Sequence, residues 1–271
     1  MAAFASLPGA AVQGSRRQEV RRALPEETPV AMVFDGSTQA VMMASPSDIE
    51  DFALGFALTE GIVAGMEDIA GFETVSHSSG IEARFWLRGD RSSALKARRR
   101  AMLGPVGCGL CGIDSLEGAL RQLPRLPDPD WRLSPAEVEG ATEALRHHQP
   151  LHDRTRAVHA AGFLRPGRGI VLAREDVGRH NALDKLIGAL TRAGEDPGHG
   201  AIVLTSRVSV EMVQKTVIAG SPVIVAVSAP TATALRLAED AGLTVAAFAR
   251  GHGFDLYAHP DRISDGDPDV T

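Results

Sequence analysis

The chain has 271 residues, of which 44% are apolar; 34 acidic side chains outweigh 28 basic ones, giving a net charge of −6. That length and composition suit a globular protein that buries a core without disulfide staples, and the acidic balance argues against a general nucleic-acid binder while leaving room for a local phosphate site. No apolar run approaches the ~18 residues of a membrane-spanning helix, and two cysteines cannot form a disulfide framework, which points to the reducing cytoplasm.

Residues 1–24 carry Gly, Ser and paired Arg without periodicity and are expected to be a disordered tail, not a signal peptide. Val30 to Phe34 and Ala40 to Ala44, joined at Asp35-Gly36-Ser37, predict a β-hairpin. A helix follows, with Ser47 as N-cap, Glu50 closing a capping box and Gly61 as the stop. Phe72–Ser76 and Ile81–Leu87 predict a second hairpin around Ser79-Gly80. A short charged segment leads to residues 103–112, where four Gly and one Pro in ten positions resist helix and strand and predict a mobile loop. A helix is expected over 113–123, then a Pro-rich linker over 124–133. Ser134, Pro135 and Glu137 open a further helix that ends near His147-His148.

The last part of the chain has a different grammar. Ile170 to Ala173 is a short apolar run, and Asn181 starts a helix stopped by Gly194. Apolar runs at 201–205, 223–227 and 243–249 alternate with helices at 209–219 and 231–241, each closed by Gly. Short joints between strand and helix imply a parallel βαβαβ unit. The expected division is therefore a tail (1–24), an N-terminal region of hairpins with the loop (25–133) and a C-terminal α/β core (134–271).

Ligands of open parallel sheets bind at the carboxyl ends of the strands. Here those ends carry Ser206-Arg207, Ser228-Ala-Pro-Thr231 and Arg250-Gly251-His252-Gly253. Two of them run into helix N-termini, whose free N–H groups suit phosphate, and Arg207 and Arg250 can add bidentate contacts. Taken singly, each Ser or Thr can equally be a plain N-cap. The segment 174–185 packs six charged side chains into twelve residues. It is either a solvated helix start, with Asp184 and Lys185 on the surface, or a site drawing on some of Glu175, Asp176, Arg179, His180 and Asn181.

Cys108 and Cys111 stand three apart and admit four readings. A zinc half-site lacks a second tight ligand pair, with only scattered His147, His148, His152 and His159 to supply it. A thioredoxin-like dithiol expects a packed setting, whereas Gly brackets both cysteines. The Gly107-x-Gly109-x-x-Gly112 pattern matches a dinucleotide fingerprint without the strand or the later acid. A sulfur carrier needs a nucleophilic thiol with reach, which the glycines supply, and a second thiol able to release the sulfur. A zinc deaminase is excluded because His159-Ala160-Ala161 lacks the catalytic Glu and follows the cysteines.

Several long motifs in order carry a resemblance. They are Pro46-x-Asp48-x-Glu50-Asp51-Phe52-x-x-Gly55-Phe56-x-x-Thr59-Glu60-Gly61, Cys108-Gly-x-Cys111-Gly112, Arg174-Glu-Asp-Val-Gly-Arg-His-Asn-Ala-Leu-Asp-Lys185, Arg207-Val-Ser-x-Glu211-Met212-Val213-x-Lys215, Ser228-Ala-Pro-Thr231 and His259-Pro-x-Arg262-Ile263. Over residues 25–264 the chain resembles the FdhD/NarQ family of formate dehydrogenase accessory sulfurtransferases. The resemblance implies a layered core similar to cytidine deaminase, with a largely parallel C-terminal sheet, a smaller N-terminal hairpin and helix region, and no catalytic zinc. It implies that a cysteine desulfurase loads sulfur onto Cys108, helped by Cys111. The sulfur then passes to molybdenum (or tungsten) bis-molybdopterin guanine dinucleotide before insertion into the formate dehydrogenase catalytic subunit. Phe248, Ala249, Arg250, Gly251, His252 and Gly253 match the cofactor-binding segment, for which a guanine nucleotide is a mimic, with Ser206, Arg207, Ser228, Thr231, Arg179 and His180 as further rim residues. It also implies a homodimer. Many relatives carry Thr-Gly-Gly where this chain has Thr155-Arg156-Ala157, a change that trades backbone freedom for a cation able to meet phosphate. A thiol–disulfide oxidoreductase and a non-catalytic cofactor-holding chaperone are the alternatives.

Overall fold

A computed structural model describes residues 2–89, 91, 122–251 and 253–264. Cys108, Cys111, the loop expected at 103–112, most of the helix expected at 113–123, and His252 lie outside the described residues.

The expected disordered tail instead forms an antiparallel hairpin, β1 (Phe4–Gln13) with β2 (Arg16–Pro25), in register from Phe4↔Pro25 to Gln13↔Arg16. Its strands are exposed on both faces, so they lack the in–out alternation that marks a strand in sequence. Gly14, at a φ of 60°, supplies the turn.

The next sheet is built from β3 (Thr28–Phe34), β4 (Ser37–Ala44), β5 (Ile69–His77) and β6 (Gly80–Leu87), in the order β4-β3-β6-β5. Both expected hairpins are present. Asp35 and Gly36 take positive φ values of 47° and 73°, as a two-residue hairpin turn of primed type requires. One face of the sheet packs Val30, Met32, Phe34, Ile81, Ala83 and Phe85 against Phe52, Ala53, Phe56 and Ala57 of α1 (Ile49–Thr59). The helix start differs from expectation. Asp48, not Ser47, is the N-cap, in a left-handed conformation with no side-chain cap bond. The nearby carboxylates are committed elsewhere: Glu50 pairs with Arg192 at 2.9 Å, and Asp51 accepts hydrogen bonds from Arg174 Nε and Arg192 Nη1, each at 2.7 Å.

The C-terminal half holds α2 (Pro135–Arg146), α3 (Pro150–Thr155), β7 (His159–Arg165), β8 (Gly169–Asp176), α4 (Arg179–Ala193), β9 (Ala201–Leu204), α5 (Val210–Ala219), β10 (Val223–Ala226), α6 (Ala232–Ala241), β11 (Thr244–Ala247) and β12 (Asp255–Tyr257). Its six-stranded sheet has the order β12-β11-β10-β9-β7-β8. The expected parallel unit is its centre, β9-β10-β11. Antiparallel β7, β8 and β12 flank it, so the sheet as a whole is mixed. Alternate residues serve two cores. Ile202, Leu204, Ile224, Ala226, Val245 and Ala247 face α4, α5 and α6, whereas Ala201, Val203, Val223, Val225 and Ala246 face Val138, Ala141 and Leu145 of α2. Both faces are buried, which is why these strands read as unbroken apolar runs.

The two sheets meet through α1 and α4. A Cβ on Gly55 would lie 1.7 Å from the Asp184 carbonyl oxygen, and one on Gly188 would lie 1.9 Å from that of Asp51. Only hydrogen at both positions lets the backbones approach this closely. Beside this contact, Lys185 Nζ sits 2.7 Å from Asp176 Oδ2 with both side chains fully buried, and donates to the Ser45 carbonyl at 2.9 Å. Lys215 Nζ donates to both Asp184 oxygens at 2.8 and 2.9 Å and to the Thr59 hydroxyl at 2.8 Å. The segment 174–185 is therefore no solvated helix start: Asp184 and Lys185 are interior. Among the described residues no helix is long and apolar enough to cross a membrane.

Candidate functional site

A cavity of about 820 Å³ opens at the carboxyl ends of the central strands. Thr205 follows β9, Val227 follows β10, and Arg250 and Gly251 follow β11. Because β7 runs antiparallel to β9 and β8 antiparallel to β7, the start of one and the end of the other reach the same rim, bringing in His159 and Val177. The opposite wall is the α2–α3 segment. Glu139, Thr142, Glu143 and Arg146 recur at helical spacing along α2, and Gln149, His152 and Arg156 follow.

Local sequence explains how this wall is held. Ser134 and Glu137 form the expected capping box, with Pro135 in the first turn of α2. The Thr142 hydroxyl donates to the Ala249 carbonyl at 2.8 Å, fastening α2 to the turn that carries Arg250. Glu175 accepts from the Leu151 and His152 amides, both at 2.8 Å, and so caps the short helix α3. Burial pushes the Glu175 carboxyl above its usual range even so.

The expected rim residues divide. Arg250 and Gly251 line the cavity. Phe248 holds a φ of 55°, exceptional for a bulky side chain, and this left-handed turn redirects the chain from β11 to Arg250. Ala249 is fully buried and acts through its backbone, its N–H donating to the Ala226 carbonyl at 3.0 Å. Gly253 closes the turn by accepting the Arg250 N–H at 3.3 Å. Ser206 is buried, its hydroxyl donating to the Arg207 carbonyl at 3.1 Å, while Arg207 is exposed; neither is among the lining residues. Ser228 offers its carbonyl to the Phe248 amide at 3.4 Å. Thr231 caps α6, accepting the Ala234 amide at 3.2 Å. Ser206 and Ser228 thus take part in turns and Thr231 in a helix cap. Asp176 and Asn181 are buried joint residues: Asn181 donates to the Met43 carbonyl at 2.8 Å and to Asp176 at 2.9 Å.

Arg179 and His180 open α4 beneath the rim. Arg179 Nε is buried without a hydrogen-bond partner. Burial, and after it the Arg179 charge, holds His159 and His180 below the ordinary histidine range. His180 Nε2 lies 3.4 Å from a Glu211 oxygen, an ion-pair distance without hydrogen-bond alignment. Of the arginines in the cavity lining, Arg146 is paired with Asp153. Arg156 and Arg250 have no carboxylate within ion-pair distance among the described residues.

These features define a class: a mixed α/β protein with a cavity lined by both arginines and glutamates at the carboxyl ends of its parallel strands. The comparisons with known proteins narrow the class. The FdhD/NarQ family profile matches residues 25–264. The chain is 51% identical over 242 residues to the Sulfur carrier protein FdhD of Agrobacterium fabrum, covering 89% of each chain. It is 52% identical over 246 residues to that of Brucella abortus, covering 91% of each. A solved structure described as that of a formate dehydrogenase accessory protein from Desulfotalea psychrophila superposes with a TM-score of 0.77 at 25% identity, covering 97% of this chain and 100% of that one. The chain belongs to the FdhD/NarQ family.

Proposed function

We propose that the protein is a sulfur carrier that serves formate dehydrogenase maturation. The observation that supports this most is the extent of its likeness to relatives named sulfur carriers, about half identical over nine tenths of the chain. Cys108 and Cys111 are the groups in the sequence with the chemistry for the task. In the first step the Cys108 thiolate attacks the terminal sulfur of a persulfide on a cysteine desulfurase. A new S–S bond forms on Cys108, and the desulfurase cysteine leaves as a thiolate. In the second, Cys111 attacks the inner sulfur of Cys108. The outer sulfur departs as hydrosulfide, and the resulting Cys108–Cys111 disulfide is reset by a cellular thiol.

The acceptor in this reading is the bis-molybdopterin guanine dinucleotide of molybdenum or tungsten, held as substrate. A guanosine diphosphate portion suits the cavity: the volume lies in the range of small-ligand sites, and Arg250 offers an unpaired guanidinium to phosphate. The reading places the protein in the cytoplasm as a homodimer that meets the desulfurase and the formate dehydrogenase catalytic subunit in turn.

Mass spectrometry of the protein after reaction with a cysteine desulfurase and free cysteine tests the loading step. One added sulfur on Cys108, lost in Cys108→Ala and retained in Cys111→Ala, is the expected result. Full formate dehydrogenase maturation by a protein lacking both cysteines contradicts the carrier role and leaves a cofactor-holding chaperone. Turnover through a Cys108–Cys111 disulfide with no added sulfur at any stage leaves an oxidoreductase.

A further inference from the structure

The backbone at Arg156 is left-handed, with φ 56° and ψ 22°. For a residue with a Cβ this conformation is disfavoured relative to a right-handed one. Arg156 ends α3, its N–H donating to the His152 carbonyl at 2.8 Å, and glycine could make the same turn at no steric cost. In return the side chain gains only a longer-range attraction to Asp153. Arg156 is exposed, and among the described residues no carboxylate lies within ion-pair distance of its guanidinium. It does line the cavity. The other unpaired guanidinium in the lining, Arg250, is likewise delivered by a left-handed non-glycine turn, at Phe248. Strain kept at two places on one rim, each presenting a cation without an ion-pair partner among the described residues, is the pattern of a site built for something else.

We propose that Arg156 is a phosphate-binding residue of this cavity, which together with Arg250 clamps a ligand carrying two linked phosphates. The cavity is polarised in a way that locates the clamp. Glu139 and Glu143 line the α2 wall and repel phosphate, whereas Arg156 leads into β7 and Arg250 follows β11. Arg146 contributes less charge because Asp153 already pairs with it. A diphosphate held between two planar guanidinium groups satisfies two cations at once. The identity of the ligand as a guanosine diphosphate moiety rests on the proposed function; the clamp itself rests only on the geometry.

Calorimetry on the full chain tests this with three probes: pyrophosphate, guanosine diphosphate and guanosine. Arg156→Gly is expected to weaken both phosphate-bearing probes at least ~10-fold and to leave the binding of guanosine unchanged. Its thermal midpoint is expected to be equal to or higher than that of the parent, since glycine relieves the left-handed strain. Arg156→Lys, which keeps the charge and loses the fork, is expected to fall between the two. Arg156→Gly binding pyrophosphate as tightly as the parent overturns the proposal, as does a parent protein that binds no pyrophosphate. A parent that binds pyrophosphate through Arg156 but guanosine diphosphate no more tightly supports the clamp and removes guanine from the proposed function.

Discussion

Arg250 is a cation with no carboxylate partner among the described residues, presented to a cavity by a turn that a bulky residue, Phe248, adopts in a left-handed conformation. A charge-assisted hydrogen bond is worth roughly 1.5–3 kcal/mol, or about 10–100-fold in affinity. Arg250→Ala is therefore expected to weaken guanosine diphosphate binding by about that factor, measured by calorimetry; unchanged affinity removes Arg250 from the site. His159 answers a different question. Burial and the Arg179 guanidinium hold it below the ordinary histidine value of 6.5. Its contribution to stability is present above that value and is lost as the pH falls through the lowered one, because the unfolded chain takes up the proton first. The thermal midpoint of His159→Gln is accordingly expected to fall less steeply than that of the parent between about pH 8 and about pH 5. Equal slopes would show that His159 titrates alike in both states.

Among the elements, α1 and α4 set the tolerance of the whole joint. Their backbones touch at Gly55 and Gly188, where an added methyl would meet a carbonyl oxygen below 2 Å. Gly188→Ala must push the helices apart and disturb the buried Lys185–Asp176 pair beside them. The expected loss is roughly 3 kcal/mol, at the upper end for an overfilled core, or a fall in Tm of about 10 °C; a midpoint within about 1 °C of the parent contradicts the close approach. The elements also show where sequence reading succeeds. The capping box at Ser134 was legible because every partner lies within three residues. The central strands were legible because both faces are buried and left-handed glycines at 194, 220 and 242 close their helices. The cap at Ser47 misled because Glu50, the partner its box requires, pairs instead with Arg192, 142 positions away. Strand β7 was missed because His-Ala-Ala-Gly-Phe carries little strand character; Gly162 is there to admit Leu145, whose Cδ1 would lie 2.7 Å from an added Cβ. The cavity was half legible: Arg250 stands at a strand end, but Thr142, Gln149 and His152 join it only through tertiary packing.

At the scale of the molecule, two sheets with separate cores are joined by α1 and α4, and the cavity opens on the C-terminal one. Buried charge does much of the welding. Asp176 alone accepts from the Ser45 amide at 2.9 Å, the Gly178 amide at 2.8 Å and Asn181 at 2.9 Å, besides its pairing with Lys185. Such a pair adds little to net stability over an apolar isostere, but breaking it by removing one partner is costly. It ties β8 to the start of α4 beneath the rim, where burial and then the Arg179 charge lower both histidines. On the proposed function, that rigidity serves the side that would hold the acceptor, since the sulfur must arrive at one place. The most direct measurement of this account follows a single labelled sulfur atom. The protein is charged with isotopically labelled sulfur by a desulfurase, freed of excess donor, and mixed with the guanine dinucleotide form of the molybdenum cofactor. Label leaving Cys108 and appearing on the cofactor, with loss of transfer in Cys108→Ala and slowed transfer in Arg250→Ala, is the result expected. Label that never enters Cys108, or that stays on it in the presence of the cofactor, contradicts the account.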